Sequence, residues 1–290
     1  DNNADFNGLT TNHGVNPASG IVFYYQLPDA KDSVALTMEI KDVSGNLVRT
    51  FSSLKDSNYR RYDGAPPADP VLSKSKGLNR FVWNMRYPSI PGIPDVYFDG
   101  TLHGHKAIPG TYTVTLKMGS QQLSTQAQIL SNPLYPTDAT TYQEYNTVMT
   151  NLEKELTVMH NMVNKMDAKR QQLEKLVASL TGDKYASLKT EAAALAKKMK
   201  TWDEDMVQRQ TKVYDDAENF PVKFTGNYVF LVNQTESDIP RVNQPSLDRM
   251  KDLNAQWSVL KNRGMEILDT DIAALNKKLW DAGLGAVWTN

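Results

Sequence analysis

His103 and His105, in the run His103-Gly104-His105, are the only pair of closely spaced histidines in the chain. On an extended segment, imidazoles at i and i+2 can share a zinc or copper ion, but a stable site takes a third ligand and outer partners that fix the ring tautomers. Neither follows from this spacing, so a solvated loop is the simpler reading and no cofactor is expected. Carboxylates are plentiful, among them Asp95, Asp99, Asp203, Glu204, Asp205, Asp215 and Asp216. Glycoside cleavage would need two of them held across a cleft, one with a raised pKa. Asp203, Glu204 and Asp205 instead fall between the apolar residues Trp202 and Met206 of a helical pattern, where charges face water. Tyr87, Tyr97 and Phe98 lie in one irregular stretch beside Asp95 and Asp99. Such a loop could stack on a sugar, plug the end of a β-domain or dock on a neighbour; filling an interface is the commoner use of large apolar loop residues.

The chain contains no Gly-rich phosphate loop, Walker lysine motif, Gly-x-Ser-x-Gly elbow or His-Glu-x-x-His, so the main sequence signatures of nucleotide and hydrolase chemistry are lacking. Lys and Arg number 32 against 33 Asp and Glu, which offers no net field to nucleic acid or an anionic bilayer. Cysteine is absent, excluding disulfides and thiolate chemistry. No apolar run reaches the ~20 residues of a membrane-spanning helix.

The elements that position these residues change character near residue 135. Before it, apolar residues alternate at period two. Ile21 to Leu27, Val34 to Val43 (with Leu36, Met38 and Ile40 on one face), Leu47 to Phe51, Arg80 to Met85, Thr111 to Met118 and Leu123 to Ile129 read as six short strands. Turns at Ser44-Gly45-Asn46 and Gly119-Ser120 close two hairpins. The pattern predicts a sandwich of immunoglobulin or fibronectin-III kind over 16–132, interrupted by Pro- and Gly-rich loops at 52–77 and 86–109.

Past Pro136 the apolar steps alternate three and four: Tyr142, Tyr145, Met149, Leu152, Leu156, Met159, Val163, Met166, Arg170, Leu173, Val177, Leu180. This predicts a helix of about 60 Å at 1.5 Å per residue, capped by Thr137 or Asp138 and stopped by Gly182. A second seam runs from Tyr185 to Val213 with Arg209 in it, and a third from Ser246 to Ala282. Both seam arginines are expected near an end or snorkelling outward. Residues 218–244 carry too much apolar bulk for a solvated loop; they read as a short covering helix, with a β-like segment left open. The whole is an α+β chain of two domains, an antiparallel three- to four-helix bundle over 137–286 following the sandwich, with 1–15 as an extension from a preceding domain. Intramolecular packing of the seams is favoured over an oligomeric coiled coil.

Leu36 to Phe51, with Glu39-Ile40-Lys41-Asp42-Val43-Ser44-Gly45-Asn46-Leu47-Val48-Arg49-Thr50, resembles bacterial Ig-like modules of the flagellar hook-cap and secretion-tail type, whose later strands are matched by Asn79-Arg80-Phe81-Val82-Trp83 and Pro109-Gly110-Thr111-Tyr112. The longer string Gly77 to Pro88, with Asn16-Pro17-Ala18-Ser19-Gly20 before Ile21, is similar to the region following the β-propeller in bacterial sortilin-like and BNR-repeat proteins, often labelled glycosyl hydrolases. Asn219 to Lys223 and Leu268 to Asn276 resemble the tail of the same proteins. The resemblance implies a non-catalytic structural or interaction module at the C-terminus of a larger extracytoplasmic bacterial protein, with the propeller as partner. Alternatives are an accessory part of a glycosidase or peptidase active site completed by the propeller, or a carbohydrate-binding module using Tyr87, Tyr97 and Phe98. It carries no catalytic residue onto these positions.

Overall fold

The structure is a computed structural model and describes residues 16–28, 34–62, 64–134 and 136–287; the expected extension over 1–15 lies outside these. The chain is mixed α+β, with six strands in two sheets followed by a helical region among the described residues. β1 (Ile21–Leu27) pairs antiparallel with β4 (Gly77–Trp83) from Ile21↔Trp83 to Leu27↔Gly77. β2 (Leu36–Lys41), β3 (Leu47–Ser52), β5 (Gly110–Met118) and β6 (Gln121–Ile129) form the other sheet in the order β3-β2-β5-β6. β2 sits inside it, with Met38 opposite Phe51 on one side and Leu116 on the other.

Alternation puts Leu36, Met38, Ile40, Phe81, Trp83, Tyr112 and Val114 into a common core. Rings knit the sheets together: Phe51 lies 4.7 Å from Phe81, and Trp83 meets Tyr112 edge-on at 5.5 Å. The indole N–H of Trp83 donates to the Arg86 carbonyl, as a buried indole must find an acceptor. Arg49 is also inward-facing and buried, bonded to Asp69 and resting on the Phe51 ring.

α1 (Ala139–Ser179) is 41 residues long and begins where the Asp138 carboxylate accepts the Thr141 N–H at 2.7 Å. That bond holds Asp138 below the usual carboxylate range. Its seam is buried from Tyr142 to Leu173; Arg170 escapes burial by bonding Asp167 and Glu174 on its own helix. α2 (Ala186–Met206) stops seven residues short of the expected Val213, which is exposed. The Thr225 hydroxyl takes the Met206 carbonyl at 2.7 Å, and Arg209 folds back onto Asp203, so side-chain partners end this helix where no glycine does. Residues 218–244 contain the expected covering helix, α3 (Phe224–Ser237). α4 (Gln244–Met265) continues through a π-helical turn, Glu266–Asp271, into α5 (Ile272–Asp281). Just before the wide turn, Gly264 is buried against Met162 and Trp202, and the Trp202 indole donates to the Leu260 carbonyl.

Contacts divide the chain into two compact units that are not contiguous in sequence. The β-unit comprises the described residues up to Lys55, Asp69–Arg86 and Thr111–Gln128; the helical unit takes Asp56–Ala68, Tyr87–Gly110 and Ile129 onward. The division thus differs from a single boundary between 132 and 137: the middle of the first long loop, Asp56–Ala68, and nearly all of the second, Tyr87–Gly110, group with the helices, whereas 52–55 and 69–77 stay with the strands. The stretch 87–110 is a strap that sinks Ile90, Ile93, Val96, Leu102 and Ile108 into the helical core.

Candidate functional site

The two candidate metal ligands have different surroundings. His103 is exposed, whereas His105 has no exposure at all. The Glu153 carboxylate of α1 accepts the His105 backbone N–H at 2.6 Å and meets its Nδ1 at 2.8 Å; Asn146 Oδ1 lies 3.0 Å from Nε2. Both ring nitrogens are engaged by protein, and the Tyr87 ring stacks on the imidazole at 4.1 Å. Gly104 permits this fold, because a Cβ there would come within 2.4 Å of the Tyr87 and Pro88 carbonyl oxygens. His105 thus anchors the strap, and among the described residues no group of three or more His, Cys, Asp and Glu could hold a metal ion.

A second histidine supports the strap further along α1. His160 Nδ1 donates to the Pro91 carbonyl at 2.6 Å, its ring stacks on Phe98, and its Nε2 is buried without a partner. Burial pushes this imidazole down to about 4, only partly opposed by the bond to Pro91. Next to it Asn164 donates to the Gly92 carbonyl. Asn146, Glu153, His160 and Asp167 recur at intervals of seven, each following a seam residue (Tyr145, Leu152, Met159, Met166). A heptad repeat keeps such positions on one helix face, so α1 carries a polar stripe beside its apolar seam; Asn146, Glu153 and His160 receive the strap. That spacing was the sequence signal for Glu153 and His160, which a search for catalytic motifs passes over.

Tyr87 is consumed by His105 and does not share a platform with Tyr97 and Phe98, so the proposed aromatic trio is corrected to a pair. Tyr97 and Phe98 line a depression of about 310 Å³ together with Val222, Phe230, Asn227 and Asp99. Phe230 is 63% exposed. Tyr97 titrates above the usual tyrosine range because of its partial burial, with Asp99 and Tyr214 adding to the effect. α3 opens against this depression without a side-chain cap. Gln208 and Lys223 also line a second depression of about 510 Å³, rimmed by Arg170, Lys200, Arg209, Asp203 and Glu204. The two depressions adjoin at these shared residues and together make up the trough of the helical unit.

The carboxylates do not converge. Asp203, expected to face water, is buried, and both its oxygens are taken by Arg209 at 2.6 and 2.7 Å. Such a bidentate fork compensates the loss of hydration; it also raises the Arg209 pKa above its ordinary value, against desolvation. Asp205 reaches Arg263 across to α4, Glu204 lies 3.8 Å from Lys200, and Asp216 caps its own turn at Lys212 and Val213. Asp95 and Asp99 are exposed.

The β-unit has its own opening, a groove of about 720 Å³ lined by both sheets. Phe23, Tyr25, Leu36, Met38 and Leu116 form its walls, with Leu123 of β6 at 76% exposure. β1 and β6 each end their sheet among the described residues and carry a backbone edge unpaired by any described strand, beside apolar side chains. No helix among the described residues is long and apolar enough to cross a membrane. Comparison with protein-family models, curated proteins and solved structures found no match.

Proposed function

We propose that the chain is a non-catalytic interaction module: an immunoglobulin-like or fibronectin-III-like sandwich with an antiparallel helical bundle, carried by a larger extracytoplasmic bacterial protein and docking on that protein's β-propeller. The observation that carries this reading is the groove between the sheets. Its walls are apolar, its polar lining consists of neutral side chains such as Gln26, Gln121, Ser124 and Thr125, and it is flanked by two strand edges that no described strand pairs with. Chemistry calls for convergent titratable groups with shifted pKa values; docking calls for apolar area and backbone hydrogen bonds that a partner can complete. This groove offers the second set. An exposed edge beside apolar side chains is also an aggregation hazard that proteins keep covered.

Hydrogen exchange tests the reading. In the protein encoded by the complete reading frame, amides of β1 and β6 are expected to exchange more slowly than in the isolated 290-residue chain, and Leu123→Asp is expected to abolish the difference. Equal exchange of both strands in the two proteins would remove the proposal.

A further inference from the structure

The trough on the helical unit is independent of the groove and has a different chemistry. One end is cationic: Arg170, Lys200, Arg209 and Lys223 face two carboxylates, Asp203 and Glu204. Asp203 is saturated by Arg209, and Glu204 stands 3.8 Å from Lys200. Arg170 is held by Asp167 and Glu174 on its own helix. Lys223, at the junction of the two depressions, forms no ion pair among the described residues. The other end is aromatic. Phe230 projects from α3 with most of its ring in solvent, although Tyr228 and Val229 beside it are buried. It faces the same depression as Tyr97, whose neighbour Phe98 is locked by its stack on His160. Gln208, Asn227 and Asp99 supply amide and carboxylate groups along the rim.

We infer that this trough binds an acidic oligosaccharide, with a sugar ring on the Phe230–Tyr97 wall and a uronic-acid carboxylate at Lys223. Pyranose rings present a flat apolar face to an aromatic side chain and hydroxyls to the amides around it. A few placed polar groups on apolar walls are the usual make-up of a small-molecule site, and the aromatic end falls at the lower end of ligand-pocket volumes. Lys223, without an ion pair among the described residues, offers a cation to a ligand carboxylate, while Asp99 in the same depression is an acceptor for sugar hydroxyls. An extended peptide would draw its affinity from a strand edge, and the trough is walled by helices and loops.

Calorimetric titration of the 290-residue chain with tetragalacturonate, the neutral galacto-tetraose and tetraglutamate tests this. Tetragalacturonate is expected to bind about tenfold more tightly than the neutral sugar, a difference of ~1.4 kcal/mol, and to weaken as salt rises from ~0.05 to ~0.5 M. Phe230→Ala is expected to weaken it about tenfold, Lys223→Gln to erase the preference for the charged sugar, and Tyr24→Ala in the β-unit to change nothing. Phe230 and Lys223 are solvent-accessible, so both variants should melt with the parent chain, and circular dichroism verifies it. Absence of binding at millimolar tetragalacturonate, equal affinity in parent and both trough variants, or tetraglutamate binding as tightly as tetragalacturonate would each overturn the inference. None of these outcomes bears on docking at the β-unit groove.

Discussion

At the scale of single residues, His160 links the strap to pH. Its folded-state pKa is about 4 against an ordinary 6.5, with burial as the cause. The depressed value means that the unfolded chain takes up this proton first. The stabilisation from the neutral ring is complete above pH 6.5, drains away as pH falls towards 4, and changes no further below that. Over that window the loss amounts to about 3 kcal/mol. His160→Gln keeps an N–H for the Pro91 carbonyl and does not titrate, so the parent is expected to lose about 3 kcal/mol more than the variant between neutral and acid pH. Urea unfolding at closely spaced pH values measures it, and parallel curves would refute the assignment. Little of this was legible beforehand. His103 and His105 drew notice by their mutual spacing, whereas His105 and His160 act through partners 48 and 69 residues away, contacts that only the fold creates.

Elements were more legible because periodicity reports burial directly. Six strands and the first long helix fall close to where alternation and the three-four seam place them, and Asp138 is the cap. Between α2 and α3 the same reasoning failed. Arg209 and Val213 continue the seam rhythm in sequence, yet the chain leaves the helix at Val207 because Asp203 captures Arg209 and Thr225 captures the Met206 carbonyl. The π-helical turn also left no mark on the pattern. Its approach is tight: a Cβ on Gly264 would meet Met162 Sδ at 2.7 Å and the Trp202 ring at 2.9 Å. The methionine can swing aside, but the indole is tethered to the Leu260 carbonyl. Gly264→Ala is therefore expected to destabilise the helical unit by about 1–3 kcal/mol through overcrowding. Urea denaturation monitored by tryptophan fluorescence reads this out, and an unchanged midpoint would mean that α4 slides freely against α2.

For the molecule as a whole, the loops were the illegible part. Nothing in their Pro- and Gly-rich composition says which neighbour takes Ile90, Ile93 and Val96, since irregular backbone has no period from which to infer a buried face. The answer determines where the chain can be cut. A fragment starting at Pro133 looks self-sufficient from its seams, yet it lacks five strap residues of its core. At ~1.5–3 kcal/mol for each large apolar side chain left unburied, the deficit rivals the ~5–15 kcal/mol stability of an ordinary domain. Residues 133–290 alone are expected to be helical by far-ultraviolet circular dichroism but to bind a hydrophobic dye and melt without a sharp transition. A cooperative melt at the temperature of the intact chain would show the strap to be dispensable.

The strap also sets a timetable for biogenesis. Thr101 is held by Asn233, 132 residues further on, and a ribosome adding ~5–20 residues per second needs roughly 7–26 s to translate that interval. In the later part of it, once the strap has emerged from the exit tunnel, its isoleucines and Val96 wait while the later helices that complete their pocket are still being made. A nascent chain in that condition is a natural client for a holding chaperone, whichever compartment it finally occupies.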